Sequence, residues 1–147
     1  MKIEFLQDPG AQEISVVVRA KEQDAAVCAL MESISRQEAI HAYSERGEEL
    51  IYPAEIQRIY TQQRKAMVEC DRGTFSLRER LYALEEKLDK NEFVRISNSE
   101  IVNKRRIRRL DFSLAGTIRL IFRDGTETYV SRRYVPRIRS AFERRDG

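Results

Sequence analysis

Apolar residues in this chain fall mostly at every second position, in short runs set between turn-forming residues, which is the pattern of half-buried β-strands. The first two runs are IEFL at 3–6 and EISVVVRA at 13–20, and the intervening Asp8, Pro9 and Gly10 predict a hairpin. The period then changes. Val27, Leu30, Met31 and Ile34 stand at i, i+3, i+4 and i+7 with Asp24 ahead of them, which predicts an amphipathic helix over 22–36. From residue 39 the strand texture returns in AIHAYS, ELIYP, EIQRIYTQ, MVECD and TFSLR, broken by Gly47, Pro53, the polar stretch QQRK and Gly73. Leu81, Leu84 and Leu88, with Tyr82 beside them, predict a helix over 79–88. FVRI, RIRRLDF, TIRLIF and TETYV predict four more strands, with turns at Gly116 and Asp124-Gly125, and a last helix is expected over 132–143.

These elements define an α+β class that is mostly β, with antiparallel sheets and short helices behind a small ββα N-terminal segment. The boundary falls near 36–40. Residues 1–38 form a hairpin-helix segment whose stripe serves dimerisation, partner contact or packing, and 39–147 form the main domain. Phe93, Ile96, Ile101, Val102, Ile107, Leu110, Leu120, Phe122, Tyr129, Val130, Val135 and Ile138 step as core positions should. Tyr60, Phe75, Tyr82 and Phe112 are expected in the core too, rather than as open platforms for nucleobases.

Composition narrows the function classes. The chain has 147 residues, 41% hydrophobic and 35% charged, and no apolar run approaches the length of a bilayer span. Its start lacks the charged and apolar regions of an export signal, so a cytoplasmic protein is expected. Cys28 and Cys70 are far apart and read as buried free thiols, and His41, the sole histidine, reads as a structural or surface residue rather than a catalytic one. No metal-ligand cluster, Gly-rich phosphate loop or paired nucleophile and base emerges, so neither enzymatic activity nor a cofactor is expected.

The net charge is only +3, but residues 1–92 carry 13 Lys and Arg against 18 Asp and Glu, whereas 93–147 carry 14 against 6. A local positive field suits binding to phosphates, although basic residues also simply solubilise strand faces. The basic half contains FVRISNSEIVNKRRIRRL at 93–110 and DGTETYVSRRYVPRI at 124–138, each placing small polar residues and arginines at the end of a β-type run. Within the first, SEIVN at 99–103 reads as a short turn. Lys104 and Arg105, with Arg106, follow it and are candidates for phosphate contacts. Consecutive arginines on a strand cannot all face one partner, so Arg108 and Arg109 are less clearly placed.

Phe93, Arg95, Ile96, Ser97, Asn98, Ser99, Val102 and Asn103, followed by Val130, Ser131, Arg132, Arg133 and Tyr134, resemble the hallmark of LytTR-type DNA-binding domains. The similarity runs over residues 39–142. It implies an elongated arrangement of antiparallel β-sheets whose edge loops enter successive major grooves, about 34 Å apart on one face of a duplex. It implies a bacterial, receiver-free transcription regulator that binds double-stranded DNA at repeat sites as a homodimer or cooperating monomers, restrained by a regulatory membrane protein. The alternative is a protein-interaction module of the same fold with little specific DNA binding.

By the same resemblance Asn98 and Arg133 fall at base-reading positions. A carboxamide can pair bidentately with adenine and a guanidinium with guanine. Against these stand two structural readings: Asn98 as a cap of the SEIVN turn, and Arg133 as a partner of Glu127 or Asp124. Ser97 and Ser99 suit phosphates, Arg132 is a backbone-contact candidate and Ser131 reads as a helix N-cap. The QQRK loop, with Arg64 and Lys65, corresponds to the family's first DNA-facing loop. Many members carry His or Arg at the Ser97 and Asn98 positions, so no target sequence carries over.

Overall fold

Residues 1–12, 14–35 and 39–143 are described by a computed structural model. Helix α1 spans Ala25–Ser35, and Asp24 caps it by accepting from the Val27 N–H at 2.9 Å. The alternating runs then form β1 (Ile40–Ser44), β2 (Gly47–Ile51), β3 (Ile56–Gln62), β4 (Lys65–Cys70) and β5 (Gly73–Leu77). The leucine-spaced segment is α2 (Leu81–Lys87), followed by β6 (Phe93–Ser97), β7 (Glu100–Asn103), β8 (Ile107–Asp111), β9 (Ile118–Phe122) and β10 (Glu127–Val130). A 3-10 turn over Arg132–Tyr134 leads into α3 (Val135–Glu143).

All pairings are antiparallel. Seven strands lie in the order β2-β1-β5-β4-β3-β7-β6, and a second sheet runs β10-β9-β8. The β1–β2 hairpin joins β5 through one pair, Tyr43 with Ser76, whereas β3, β4, β5, β6 and β7 pair over three or more residues each, with register shifts in β3–β4 and β6–β7. Two apolar clusters result. Leu81, Leu84 and Leu88 bring α2 onto one side of the larger sheet against Ile59, Val68 and Ile101. On the other, Val102 and Ile96 meet Leu120 and Phe122 of the smaller sheet and Ile138 of α3. A seven-residue helix is not stable alone, so α2 exists through this packing.

Polar bonds also join the sheets. The β3 ladder slips by one residue between Ile56 and Arg58, a bulge that sends the buried Gln57 side chain towards the second sheet. Its Nε2 lies 2.8 Å from Glu69, 3.1 Å from Asp124 and 3.2 Å from Thr126, and its two hydrogens can serve two of these acceptors at a time. Nearby, the buried Glu100 accepts from Thr128 at 2.9 Å and Arg58 at 3.3 Å. Burial pushes the Glu100 carboxyl up from its ordinary value, against the pull of Thr128 and Arg58.

Several expectations are corrected. Residues 1–12 and 14–20 contain no strand; the Asp8 turn is formed, with Gly10 N–H 3.0 Å from the Asp8 carboxylate, but no ladder flanks it. A two-stranded hairpin with nothing packed on it is marginal in water, and of the described residues in 1–20 all but Val18 are exposed. The segment read as a turn, 99–103, is mostly strand β7, and all four of its residues are buried. Tyr82, Phe112 and Tyr129 are exposed: Tyr82 is off the leucine face, Tyr129 alternates with buried Val130, and Phe112 lies past the end of β8. Cys70 is buried as expected, but Cys28 is exposed.

The Gln57 join yields a first prediction. Gln57→Ala should lower unfolding free energy by about 1–2 kcal/mol, since it removes the buried donor that ties Glu69 to Asp124 and Thr126 and leaves its place in the join unfilled. Gln57→Glu should cost more at neutral pH, because it crowds a third carboxylate beside Glu69 and Asp124. Its pKa in the fold is then raised, so the added penalty is fully present above that pKa and shrinks as pH falls through it. Urea unfolding at neutral and mildly acidic pH measures both; equal deficits at the two pH values would refute the charge argument.

Candidate nucleic-acid interface

Strand direction decides which predicted contact residues meet. β3 and β7 pair Tyr60 with Glu100 and Arg58 with Val102, so the end of β3 lies beside the start of β7. The β3–β4 loop at 63–64 and the β6–β7 loop at 98–99 therefore share one end of the sheet, and Thr61 N–H donates to the Ser99 carbonyl at 2.9 Å. The end of β10 arrives at the same place, where Ser131 N–H donates to the Ile96 carbonyl at 2.9 Å. Arg64, Lys65, Asn98, Ser99, Arg132 and Arg133 are all exposed there, and Ser97 is half-buried among them.

The opposite end holds the other candidates. β7 runs away from the loop cluster, and Lys104, Arg105 and Arg106 follow its far terminus. Arg106 pairs with Asp71 in the β4–β5 turn at 2.7 Å and holds that carboxyl below its ordinary range. Arg105 donates to Glu92 at 2.8 Å, and the Lys104 ammonium sits 5.9 Å from the Phe142 ring. The sequence could not separate the two ends, because it hides β7 and so hides the reversal it makes.

Asn98 is held from two sides. The Tyr134 hydroxyl donates to its Oδ1 at 2.9 Å, and Arg95 donates to its backbone carbonyl at 2.6 Å. Arg95 also reaches the Ser97 carbonyl at 2.7 Å and Glu85 of α2 at 2.7 Å, and Glu85 in turn holds Arg137 of α3 at 3.3 Å. One oxygen lone pair and the amide hydrogens of Asn98 stay available, enough for a two-point contact with an adenine edge. Tyr134 and Arg95 are thus positioning residues; they stand in the hallmark stretch, but nothing in the sequence told that they grip the loop.

The competing structural readings fare differently. The side-chain cap after the 99–103 segment is Asn103, whose Oδ1 accepts from Arg105 N–H at 3.0 Å while Nδ2 donates to the Ile56 carbonyl at 2.8 Å. Neither proposed acid pairs with Arg133: Asp124 accepts from Thr126 and Gln57, and Glu127 faces Arg119 at 3.8 Å. Thr126 foremost holds the Asp124 carboxyl below its usual range. Ser131 occupies the N-cap position but makes no side-chain cap; its backbone carbonyl accepts from Tyr134 N–H at 2.9 Å. Ser97 spends its hydroxyl on the Ser99 N–H at 3.1 Å, shaping the loop tip.

The β3–β4 turn is strained. Gln63 and Arg64 have φ of 50° and 66°, the left-handed region that such two-residue hairpin turns require and that Asn-Gly fills most easily. Arg64→Gly should therefore raise stability by about 0.5–1 kcal/mol, the relief of strain exceeding the entropy that glycine adds to the unfolded chain. Thermal and urea unfolding check the sign; a loss of stability would mean that the Arg64 side chain supports the fold.

Comparison with known proteins places this geometry. A family model described as the LytTr DNA-binding domain matches residues 48–143. Uncharacterized HTH-type transcriptional regulators of Staphylococcus aureus are similar over 65 residues, at 48% identity in strain NCTC 8325 and 46% in strain MRSA252. The aligned part is 44% of this chain, and the chain spans 44% of the length of those relatives. A solved LytTr DNA-binding domain from Bacillus cereus superposes with a TM-score of 0.69 at 21% identity, covering 71% of this chain and 96% of that one, which shows a shared fold. Helix-turn-helix is said of the Staphylococcus proteins; here β1 to β5 separate α1 from α2, and β6 to β10 separate α2 from α3.

Proposed function

The chain belongs to the LytTr DNA-binding domain family, and from that premise we propose that it is a bacterial transcription regulator that binds double-stranded DNA through the loop cluster at one end of its larger sheet. The supporting observation is the convergence of 63–65, 97–99 and 131–133 on that end, although residues 66–130 lie between the first segment and the last. Asn98 and Arg133 read bases in the major groove. Arg64, Lys65, Arg132 and Ser99 bind the phosphates on either side, and Ser97 shapes the tip.

The strained turn supports this reading. Backbone strain persists where a side chain has another use, and Gln63-Arg64 keeps a cation at a position where glycine would be more comfortable. Lys104 and Arg105 lie outside the proposed surface. A regulator of this kind works in the cytoplasm, as part of the same proposal; within the structure, no helix among the described residues is long and apolar enough to cross a membrane.

The test is fluorescence anisotropy on duplexes selected from a randomised library, with salt titration. Asn98→Ala and Arg133→Ala should each cost about 1–3 kcal/mol on the selected site and relax preference at one base. Arg64→Gly should weaken all sequences alike and lower the salt slope by about one unit. Arg105→Ala should bind as wild type. No selected sequence, with Asn98→Ala and Arg133→Ala unchanged, would favour the interaction-module reading.

A further inference from the structure

Strand direction brings a fourth loop to the end of the sheet where 63–65, 97–99 and 131–133 meet. Ile118 pairs with Val130 and Asp111 with Arg119, so β8 runs towards that end and β9 starts from it. The 112–117 loop between them therefore stands beside Ser131 and Arg132, and the Thr117 hydroxyl donates to the Val130 carbonyl at 2.5 Å. Between this loop and α3 lies a cleft of about 500 Å³. Leu114, Gly116, Val135 and Pro136 give it apolar walls, and Arg132 and Arg139 line it with them. Two cations in one cleft repel each other, and among the described residues neither has a carboxylate partner. Asp111, the acid at the start of the loop, pairs with Arg119 at 3.3 Å and accepts from the Ser113 hydroxyl at 2.6 Å.

The loop places both guanidiniums. Gly116 has φ of 76°, and the Arg132 side chain lies across it: a Cβ at this position would stand 3.0 Å from Arg132 Nε. Glycine therefore meets two demands at once, a left-handed backbone and room for a guanidinium. Arg139 is held from the start of the loop, its guanidinium 5.3 Å from the centre of the Phe112 ring. Phe112 is 47% exposed, and it acts as a shelf for that cation. Attraction to a ring face leaves the N–H donors of Arg139 available to a ligand.

We propose that this cleft seats one sugar-phosphate unit of the DNA backbone, with Arg132 and Arg139 donating to the phosphate oxygens and Leu114, Val135 and Pro136 packing on the deoxyribose. The proposal rests on the DNA-binding reading and extends it: Arg139 is a further contact residue, and the surface continues past 131–133 onto the 112–117 loop. Continuity supports it, since the cleft lies at the end of a row that runs from 63–65 through 98–99 to Ser131, each step joined by a backbone hydrogen bond. Charge supports it too. Two guanidinium forks can bracket one phosphate, whose negative charge relieves their mutual repulsion. The apolar walls favour a phosphate that carries its sugar over a free ion, which has no carbon to set against Leu114 and Pro136. Such a contact carries no base preference of its own; it fixes where Arg133 stands along the duplex.

The test is a methylphosphonate scan on the full chain: each phosphate of a selected duplex is replaced in turn by its neutral analogue, and binding is read by anisotropy for wild type and Arg139→Ala. Arg139→Ala should keep the far-UV circular dichroism and thermal transition of wild type. It should bind every sequence about three- to tenfold more weakly at about 0.1 M salt and lower the salt slope by about one unit. One methylphosphonate position should cost wild type a similar factor and cost Arg139→Ala nothing further. Leu114→Asp, which sets a carboxylate in the cleft, should weaken binding at least as much. Wild-type affinity and slope in Arg139→Ala, while Asn98→Ala and Arg133→Ala lose affinity, overturns the proposal and leaves the DNA-binding reading standing. If Asn98→Ala, Arg133→Ala and Arg139→Ala all bind as wild type, that reading falls and the cleft's role with it. A weakened Arg139→Ala for which every position still costs what it costs wild type also overturns the proposal, because Arg139 then acts through its field alone. Uptake of inorganic phosphate in calorimetry, with no silenced position in the scan, overturns it in favour of a free anion.

Discussion

Strand β7 is the constraint on which the rest of the structure depends. Its four residues are all buried, and each side of the strand feeds a different core: Ile101 joins the cluster under α2, and Val102 joins the cluster beneath the smaller sheet. Its polar ends are fastened as well. Glu100 is held by Arg58 and Thr128 where β7 leaves the loop cluster, and Asn103 ties the far end to the start of β3. Because β7 lies between β3 and β6, its register sets where the 98–99 loop stands relative to the 63–64 loop. A one-residue slip would turn Ile101 and Val102 into each other's core and separate the loops, so packing and loop geometry are fixed by the same pairing.

That strand was the least legible part of the sequence. Four residues with polar ends, Glu100 and Asn103, leave only two apolar positions between them, too few for alternation to register. The longer runs were legible because their periodicity is strong: β3, β4, β5, β9 and the leucine face of α2 lie where the pattern puts them. The N-terminal runs have equally good periodicity and form no strands among the described residues, since alternation reports what a segment can bury and not whether a partner is present. Tyr82 and Tyr129 failed for a related reason: aromatic character was taken for burial, but each sits beside a buried residue and so on the wrong side of its element.

Of the candidate interface, the residue types stood in the sequence, whereas the ion pairs and strand directions that arrange them did not. Arginine counts overstate the field available to DNA, because much of the basic half is spent internally. Arg95 shapes a loop, Arg105 and Arg106 pair with Glu92 and Asp71, and Arg119 lies between Asp111 and Glu127. Arg64, Arg132 and Arg133 remain exposed at one end. A charge difference between halves of a chain therefore locates an interface only after the ion pairs within the fold have been subtracted.

Rigidity and adaptability are divided along the same lines. Asn98 is gripped through Tyr134 and Arg95, so under the proposed reading its amide would meet a base with little left to order and at a lower entropy cost. Arg133, one residue before Tyr134, is exposed, and in the same reading its long side chain would have to be ordered on contact. The hydroxyl that fixes Asn98 thus sits on the 3-10 turn that carries Arg133, and any displacement of that turn moves both. Coupling two loops distant in sequence through one hydrogen bond makes their spacing a property of the fold, which is what a reader of a fixed nucleic-acid geometry requires.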